Sequence, residues 1–293
     1  MPERGMDMEW PRLGRVSYLN CLPLFYALET GQVKVPAKII ADHPAVLNKA
    51  FRQGELEVTA VSSLAYGKFA EEALVLPGLS ISCYGKVGSV VLVSRVPVAE
   101  LGGRPLSLTP YSATSVVLLR ILLQRFYHVA PDLFIRPAGT PPDWGQPEAL
   151  LAIGDEALQV VRAGRYPFVY DLGEEWRQLT GKPMVFALWV ARRDFAAAYP
   201  EELAGIWQAL QAARAWGKRH PGTLAAVGAQ MLGVEPEFIE DYFTLLNYDL
   251  DWPHLEGLLT FYRLAHAEGL LLHPVALEIW GGEDEGNYRL QSA

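Results

Sequence analysis

Apolar and polar positions along the chain follow two alternating periods. Runs of strand length at residues 13–18, 37–41 ("AKIIA") and 56–62 ("LEVTAVS") are each followed by a segment with helical spacing. The first strand leads into a helix near 22–30 that stops at Gly31. The second leads through Asp42 and Pro44 into a helix that stops at Gly54, and the third into a short helix near 64–72. Two further β-type runs follow, "LVLPGLSIS" and "SVVLVS" (89–94), and the alternation restarts near residue 104. "PMVFALWVARR" (183–193) is an apolar strand long enough to pass between two lobes. Beyond it the spacing is helical over 201–220, 223–231, 236–247 and 253–268. The pattern predicts an α/β protein with mainly parallel sheets and two lobes. Residues 12–94 plus 189–293 form a discontinuous lobe with a helical C-terminal part, and 95–188 form the second. Strands 89–94 and 184–190 cross between them, leaving a cleft where strand ends present polar loops.

With 293 residues, 51% of them hydrophobic, the chain can bury one or two substantial cores, and no repeat or low-complexity stretch interrupts it. A formal charge of −8 argues against nucleic acid or an anionic membrane as partner. It leaves room for a small anion held by backbone N–H groups. The first 16 residues contain no signal-peptide core, and no stretch approaches the length of a membrane span. Two cysteines, Cys21 and Cys83, and six dispersed histidines give no disulfide framework and no metal-ligand spacing. The expectation is a cytoplasmic protein without metal or cofactor, monomeric or homodimeric. "GGEDEG" (281–286) reads as a solvated acidic tail.

Candidate chemistry collects at the predicted strand ends. In "GRVSYLNCLPLFYALE" (14–29), Ser17, Tyr18 and Asn20 form a polar elbow between strand and helix. Asn20 either caps that helix or faces a ligand. Ser63 lies at the end of the third strand, and Ser82 in the loop "LSISCYGKVGSV" (79–90). Ser112, Thr114 and Ser115 crowd one helix start, more hydroxyls than a cap requires, and so point to a carboxylate socket. In "LLAIGDEAL" (150–158), Gly154 and Asp155 mark a strand-to-helix junction where Asp155 either caps the helix or works in the cleft. Asp171, three residues before Glu174, reads as a helix cap. GxGxxG, Walker and GxSxG patterns are absent from the sequence.

Five ordered stretches carry a resemblance: "GRVSYLNCLPL", "SIS…GKVGSVVLVS", "SATSVVLLRILL", "LLAIGDEAL" and "YDLGEEWRQLTGKPMVFALW". Together they resemble the chorismate dehydratase family of the futalosine route to menaquinone. The resemblance implies a two-lobed fold of the type II periplasmic-binding-protein kind. It also implies a hydro-lyase that turns chorismate into 3-[(1-carboxyvinyl)oxy]benzoate without a cofactor. On that reading Asn20 orients the reacting ring or leaving hydroxyl. The helix start with Ser112, Thr114 and Ser115 grips one carboxylate, and Ser82 with its loop grips the other. Ser17, Tyr18, Ser63 and Gly154 complete the substrate wall. The base is either Asp155 or the substrate's own enolpyruvyl carboxylate. Family members commonly carry Thr where this chain has Cys21 and Ser where it has Cys83. The sister dihydroxynaphthoate synthase carries a histidine at the position of Gly154. Two readings stay open beside the dehydratase: that sister enzyme, and a non-catalytic protein binding a small carboxylate.

Overall fold

Strand β1 (Arg12–Val16) buries Leu13 and Val16 and lies parallel between β2 (Lys38–Asp42) and β3 (Val58–Ser62). The intervening helices, α1 (Leu22–Glu29), α2 (Pro44–Arg52) and α3 (Ser63–Phe69), start at the carboxyl ends of these strands. Pro23 and Pro44 fall in first turns, where no backbone donor is lost, and Gly31 and Gly54 follow the helix ends at φ +74° and +78°. The computed structural model describes residues 10–281 and 286–291. Most of the acidic stretch "GGEDEG", residues 282–285, lies outside the described residues.

Strand β4 (Ala73–Cys83) belongs to the same sheet, and the chain then passes to a second sheet through 84–89. That sheet is built from β5 (Val90–Ser94), β6 (Pro105–Leu108), β7 (Asp132–Ile135), β8 (Ala149–Ile153) and β9 (Phe168–Asp171), in the order β7-β6-β8-β5-β9. Helices α4 (Ala113–Leu122), α5 (Gly154–Ala163) and α6 (Leu172–Thr180) accompany it. The chain returns at 181–183 into β10 (Met184–Arg192) of the larger sheet. Helices α7 (Arg193–Ala198), α8 (Pro200–Arg219), α9 (Pro221–Leu232), α10 (Pro236–Leu245) and α11 (Trp252–Ala267) follow. Strands β11 (Ala276–Ile279) and β12 (Tyr288–Gln291) complete that sheet as β12-β11-β4-β10-β3-β1-β2. Trp189 of β10 is fully buried and stacks on Phe25 of α1 at 6.4 Å, which ties the returning strand to the first βα unit.

The sheets differ from the mainly parallel expectation at the two crossings. β5 runs antiparallel to β8 and β9, and β10 antiparallel to β3 and β4. A strand that enters a sheet from the cleft must run against strands whose carboxyl ends point into the cleft. The same pairings put residues 90–94 in the smaller sheet and 184–188 in the larger one, whereas the sequence pattern assigned them to the opposite lobes. Apolar patterning marks such strands as buried without saying which sheet buries them.

Asp171 secures the first crossing. As cap of α6 its Oδ1 accepts the Gly173 and Glu174 N–H groups, and its carboxylate also accepts those of Val87 and Gly88 in the crossing loop. The cap reading of Asp171 therefore agrees with its geometry, while Glu174 turns to Arg177 instead of completing a box. At the second crossing, Trp176 Nε1 donates to the Pro183 carbonyl at 3.1 Å, and Gly257 of α11 lies against that same carbonyl.

Candidate active site

At the elbow, Tyr18 is extended at φ −106°, Leu19–Cys21 form one 3-10 turn, and α1 begins. The Asn20 side chain caps neither element. Its carbonyl accepts the Tyr248 hydroxyl at 2.9 Å, whereas its Oδ1 is buried without a hydrogen-bond partner. The backbone is held and the amide is left unspent, an arrangement costly for folding alone. Asn20, Tyr18 and Cys21 line a cavity of about 740 Å³ between the sheets, within the range usual for small-molecule sites.

The opposite wall comes from the smaller sheet. Ser112 caps α4, its Oγ accepting the Ser115 N–H at 3.2 Å and lying 2.9 Å from Ser115 Oγ; both serines line the cavity. The first N–H groups of this helix, from Ala113 and Thr114, have no intrahelical acceptor. Gly154 lines the cavity at φ +56°, a conformation open to glycine, and donates its N–H to the Ser89 carbonyl at 2.7 Å. The Tyr18 ring covers it, 3.6 Å from where a Cβ would stand. Ser89 also lines the cavity, and its Oγ accepts the Tyr242 hydroxyl at 3.0 Å, which leaves the serine proton for a ligand.

The remaining sequence candidates lie elsewhere. Thr114 Oγ1 accepts the Leu64 N–H at 2.9 Å and joins α4 to α3. Ser63 donates to the Val185 carbonyl at 2.6 Å, and its neighbour Ser62 is the one lining the cavity. Ser82 donates to the Asn247 carbonyl at 3.2 Å from the rear of β4, while Ile81 faces the cavity. Strand alternation separates Ser82 from Ile81, and the turn from β3 into α3 separates Ser63 from Ser62. Ser17 is exposed, donating its N–H to Asp42, and does not line the cavity. Asp155 does not cap α5, whose cap position is Ile153 and carries no side-chain bond. Its Oδ1 instead crosses to the elbow and accepts the Leu19 N–H at 3.1 Å. Asp155 too is outside the cavity lining, and burial raises its pKa while the Leu19 hydrogen bond pulls the other way.

Sequence reasoning missed Ser62, Ser89 and Tyr111, the last reaching the cavity from the smaller sheet. Ser62 carried a usable signal, since it ends β3 and caps α3. Among the described residues, no Asp, Glu or His lines this cavity. Burial pushes the Cys21 thiol up to about 12, and burial with the nearby Asp155 charge pushes the Tyr18 phenol up to about 12. Both stay protonated at neutral pH, so around the elbow they act as neutral donors, and His43 stands directly behind Tyr18, its Nε2 3.5 Å from the Tyr18 hydroxyl and its ring 5.2 Å from that of Tyr111.

The menaquinone biosynthesis family profile matches residues 11–267. The chain belongs to this family. It is 32% identical over 279 residues to the chorismate dehydratase of Thermus thermophilus, covering 90% of this chain and 97% of the relative. The 1,4-dihydroxy-6-naphtoate synthase of the same organism is 29% identical over 191 residues, covering 64% of this chain and 68% of that one. In architecture the family member is similar to the periplasmic aliphatic sulphonate binding protein SsuA of Escherichia coli. The TM-score is 0.66 at 17% identity, with 97% of this chain and 96% of the other covered. The two-lobed fold of the periplasmic-binding-protein kind, with its ligand cleft, is thus the architecture of this chain. Among the described residues, no helix is long and apolar enough to cross a membrane.

Proposed function

We propose that the chain is a chorismate dehydratase, a hydro-lyase forming 3-[(1-carboxyvinyl)oxy]benzoate on the futalosine route to menaquinone, and that it works in the cytoplasm. The observation that carries this reading is a cavity whose elbow end is lined by hydroxyls, the unspent Asn20 amide and free helix N–H groups, with no Asp, Glu or His among the lining residues. Such walls suit a dicarboxylate and would repel nothing anionic. The Thermus thermophilus chorismate dehydratase supports the same substrate.

In the reaction the ring C–O bond breaks and its electron pair leaves with hydroxide. The neighbouring ring carbon gives up its proton, and the C–H electrons complete the aromatic ring. The α4 start with Ser112 and Ser115 holds one carboxylate. Ser89, its oxygen already serving Tyr242, donates to the other. Asn20 donates from its amide to the departing hydroxyl, since an amide cannot act as a base. The proton goes to the substrate's own enolpyruvyl carboxylate and not to Asp155, whose Oδ1 is taken by the Leu19 N–H and which lies outside the cavity lining. Asp155 steadies the elbow that presents Asn20. Closure over the ring excludes water and fixes these distances.

Incubating the purified protein with chorismate and separating the products tests this. Formation of the enol-ether benzoate with loss of one water is the expected result. Binding of chorismate without conversion would favour the carboxylate-binding reading instead. Lack of both would reopen the sister synthase, whose histidine position is Gly154 here.

A further inference from the structure

The cavity does not end at the elbow. One stripe of α2 with its C-cap, spaced as Ala45, Asn48, Lys49, Arg52 and Gln53, lines it, and Lys68 and Phe69 of α3 face the same space. Helix α2 begins beside the carboxyl end of β1, where Val16 pairs with Asp42. It finishes at the opposite end of that strand, where Arg12 Nη2 donates to the Gly54 carbonyl at 3.0 Å. From Ala45 to Gln53 is eight residues, so the cavity carries an outer arm about 12 Å long leading away from the reacting groups. A single six-membered ring seated at Asn20 leaves this arm open.

The arm differs in chemistry from the neutral inner walls. It holds three cations, in a protein whose formal charge is −8. Lys49 and Lys68 are exposed and take part in no ion pair among the described residues. Arg52 reaches Glu72 only at a long 3.6 Å. Asn48 adds an amide whose Oδ1 is buried without a partner. Two cations without an acidic partner and a third only loosely paired, along a ligand channel in an acidic protein, concentrate anions there.

Building on the dehydratase reading, we propose that the α2–α3 arm is a capture subsite for carboxylate anions. It draws the dicarboxylate substrate from solution and passes it to the neutral donors at the elbow. The division separates tasks. Exposed cations attract at long range, and buried neutral donors orient the ring without holding a dianion so tightly that product stays bound.

The test neutralises the arm with Lys49→Gln, Arg52→Gln and Lys68→Gln together. A control carries Lys34→Gln, Arg120→Gln and Arg263→Gln, which remove the same charge elsewhere. KM for chorismate should rise about tenfold in the arm variant and stay near wild type in the control, with kcat within about twofold in both. Raising salt should weaken the wild-type kcat/KM and leave the arm variant nearly flat. Calorimetric titration of chorismate into wild type and arm variant, at low and high salt, reads the same difference without turnover. Equal KM and equal salt dependence would overturn the subsite and leave the dehydratase reading standing. A wild type that binds but does not convert chorismate would overturn the dehydratase reading, and the titration would still decide the subsite.

Discussion

Replacing Asp155 by asparagine and by alanine distinguishes a proton-transfer role from a positioning role. In the structure its Oδ1 accepts the N–H of the fully buried Leu19, and the carboxyl does not line the cavity. Asp155→Asn would keep an acceptor oxygen for that N–H; Asp155→Ala would strand it. An unsatisfied buried donor costs about 1–3 kcal/mol. For a protein of 293 residues that corresponds to a drop in Tm of roughly 2–5 °C. The charge acts in the opposite sense. Burial raises the folded-state pKa of Asp155, so its stabilising contribution is complete at low pH and is lost as pH rises through that raised value. The asparagine variant should therefore match wild type in acid and gain on it towards neutrality. Thermal melts from pH 4 to 8, paired with chorismate turnover at pH 7.5, read both effects. The expected outcome is near-normal kcat for Asp155→Asn, with a lower Tm and a raised KM for Asp155→Ala. A loss of a hundredfold or more in kcat for a fully folded Asp155→Asn protein would refute the positioning role and make Asp155 the base.

Glu156→Ala should cost about 3 kcal/mol in urea unfolding, because it strands the Arg136 guanidinium, which is 1% exposed and has no hydrogen-bond partner at Nε and Nη1; a change below half a kcal/mol would contradict the burial argument. Gly257→Ala places a Cβ 2.1 Å from the Pro183 carbonyl oxygen and should destabilise by about 1–3 kcal/mol or more; a neutral melt would show that the crossing yields freely. The Cys21 thiol, raised to about 12 from an ordinary 9.0, holds about a thousandth of the usual thiolate. Iodoacetamide at pH 8 should label it at least a hundredfold more slowly in the native protein than in urea, and comparable rates would contradict its burial.

Alternating strand and helix periods located the βα units because each period follows from backbone geometry and needs no partner. The helices after residue 200 were legible for the same reason, ending within two residues of expectation. Sheet membership was not. Residues 90–94 are apolar on both faces, and either sheet would have buried them. The site divides along a similar line. Asn20, Ser112, Ser115 and Gly154 stand at strand-to-helix junctions, where topology alone brings them to the cleft. Ser63 and Ser82 each lie one position from a lining residue, Ser82 because adjacent strand residues face opposite sides and Ser63 because the chain has already turned from β3 into α3. Thr114 failed through a neighbour, as the Leu64 N–H that takes its oxygen is fifty residues away in sequence. The cations of the outer arm carried no signal in the sequence pattern, since only the fold brings residues of α2 and α3 to one cavity.

The most direct test of the account is the turnover of chorismate by wild type and Asn20→Ala side by side, with binding measured on both. The account predicts that wild type releases the enol-ether benzoate. Asn20→Ala should bind chorismate within a few-fold of wild type, melt within a few degrees of it, and turn over about a hundredfold more slowly or worse. Wild type that binds chorismate unchanged, or an Asn20→Ala variant as fast as wild type, would contradict it.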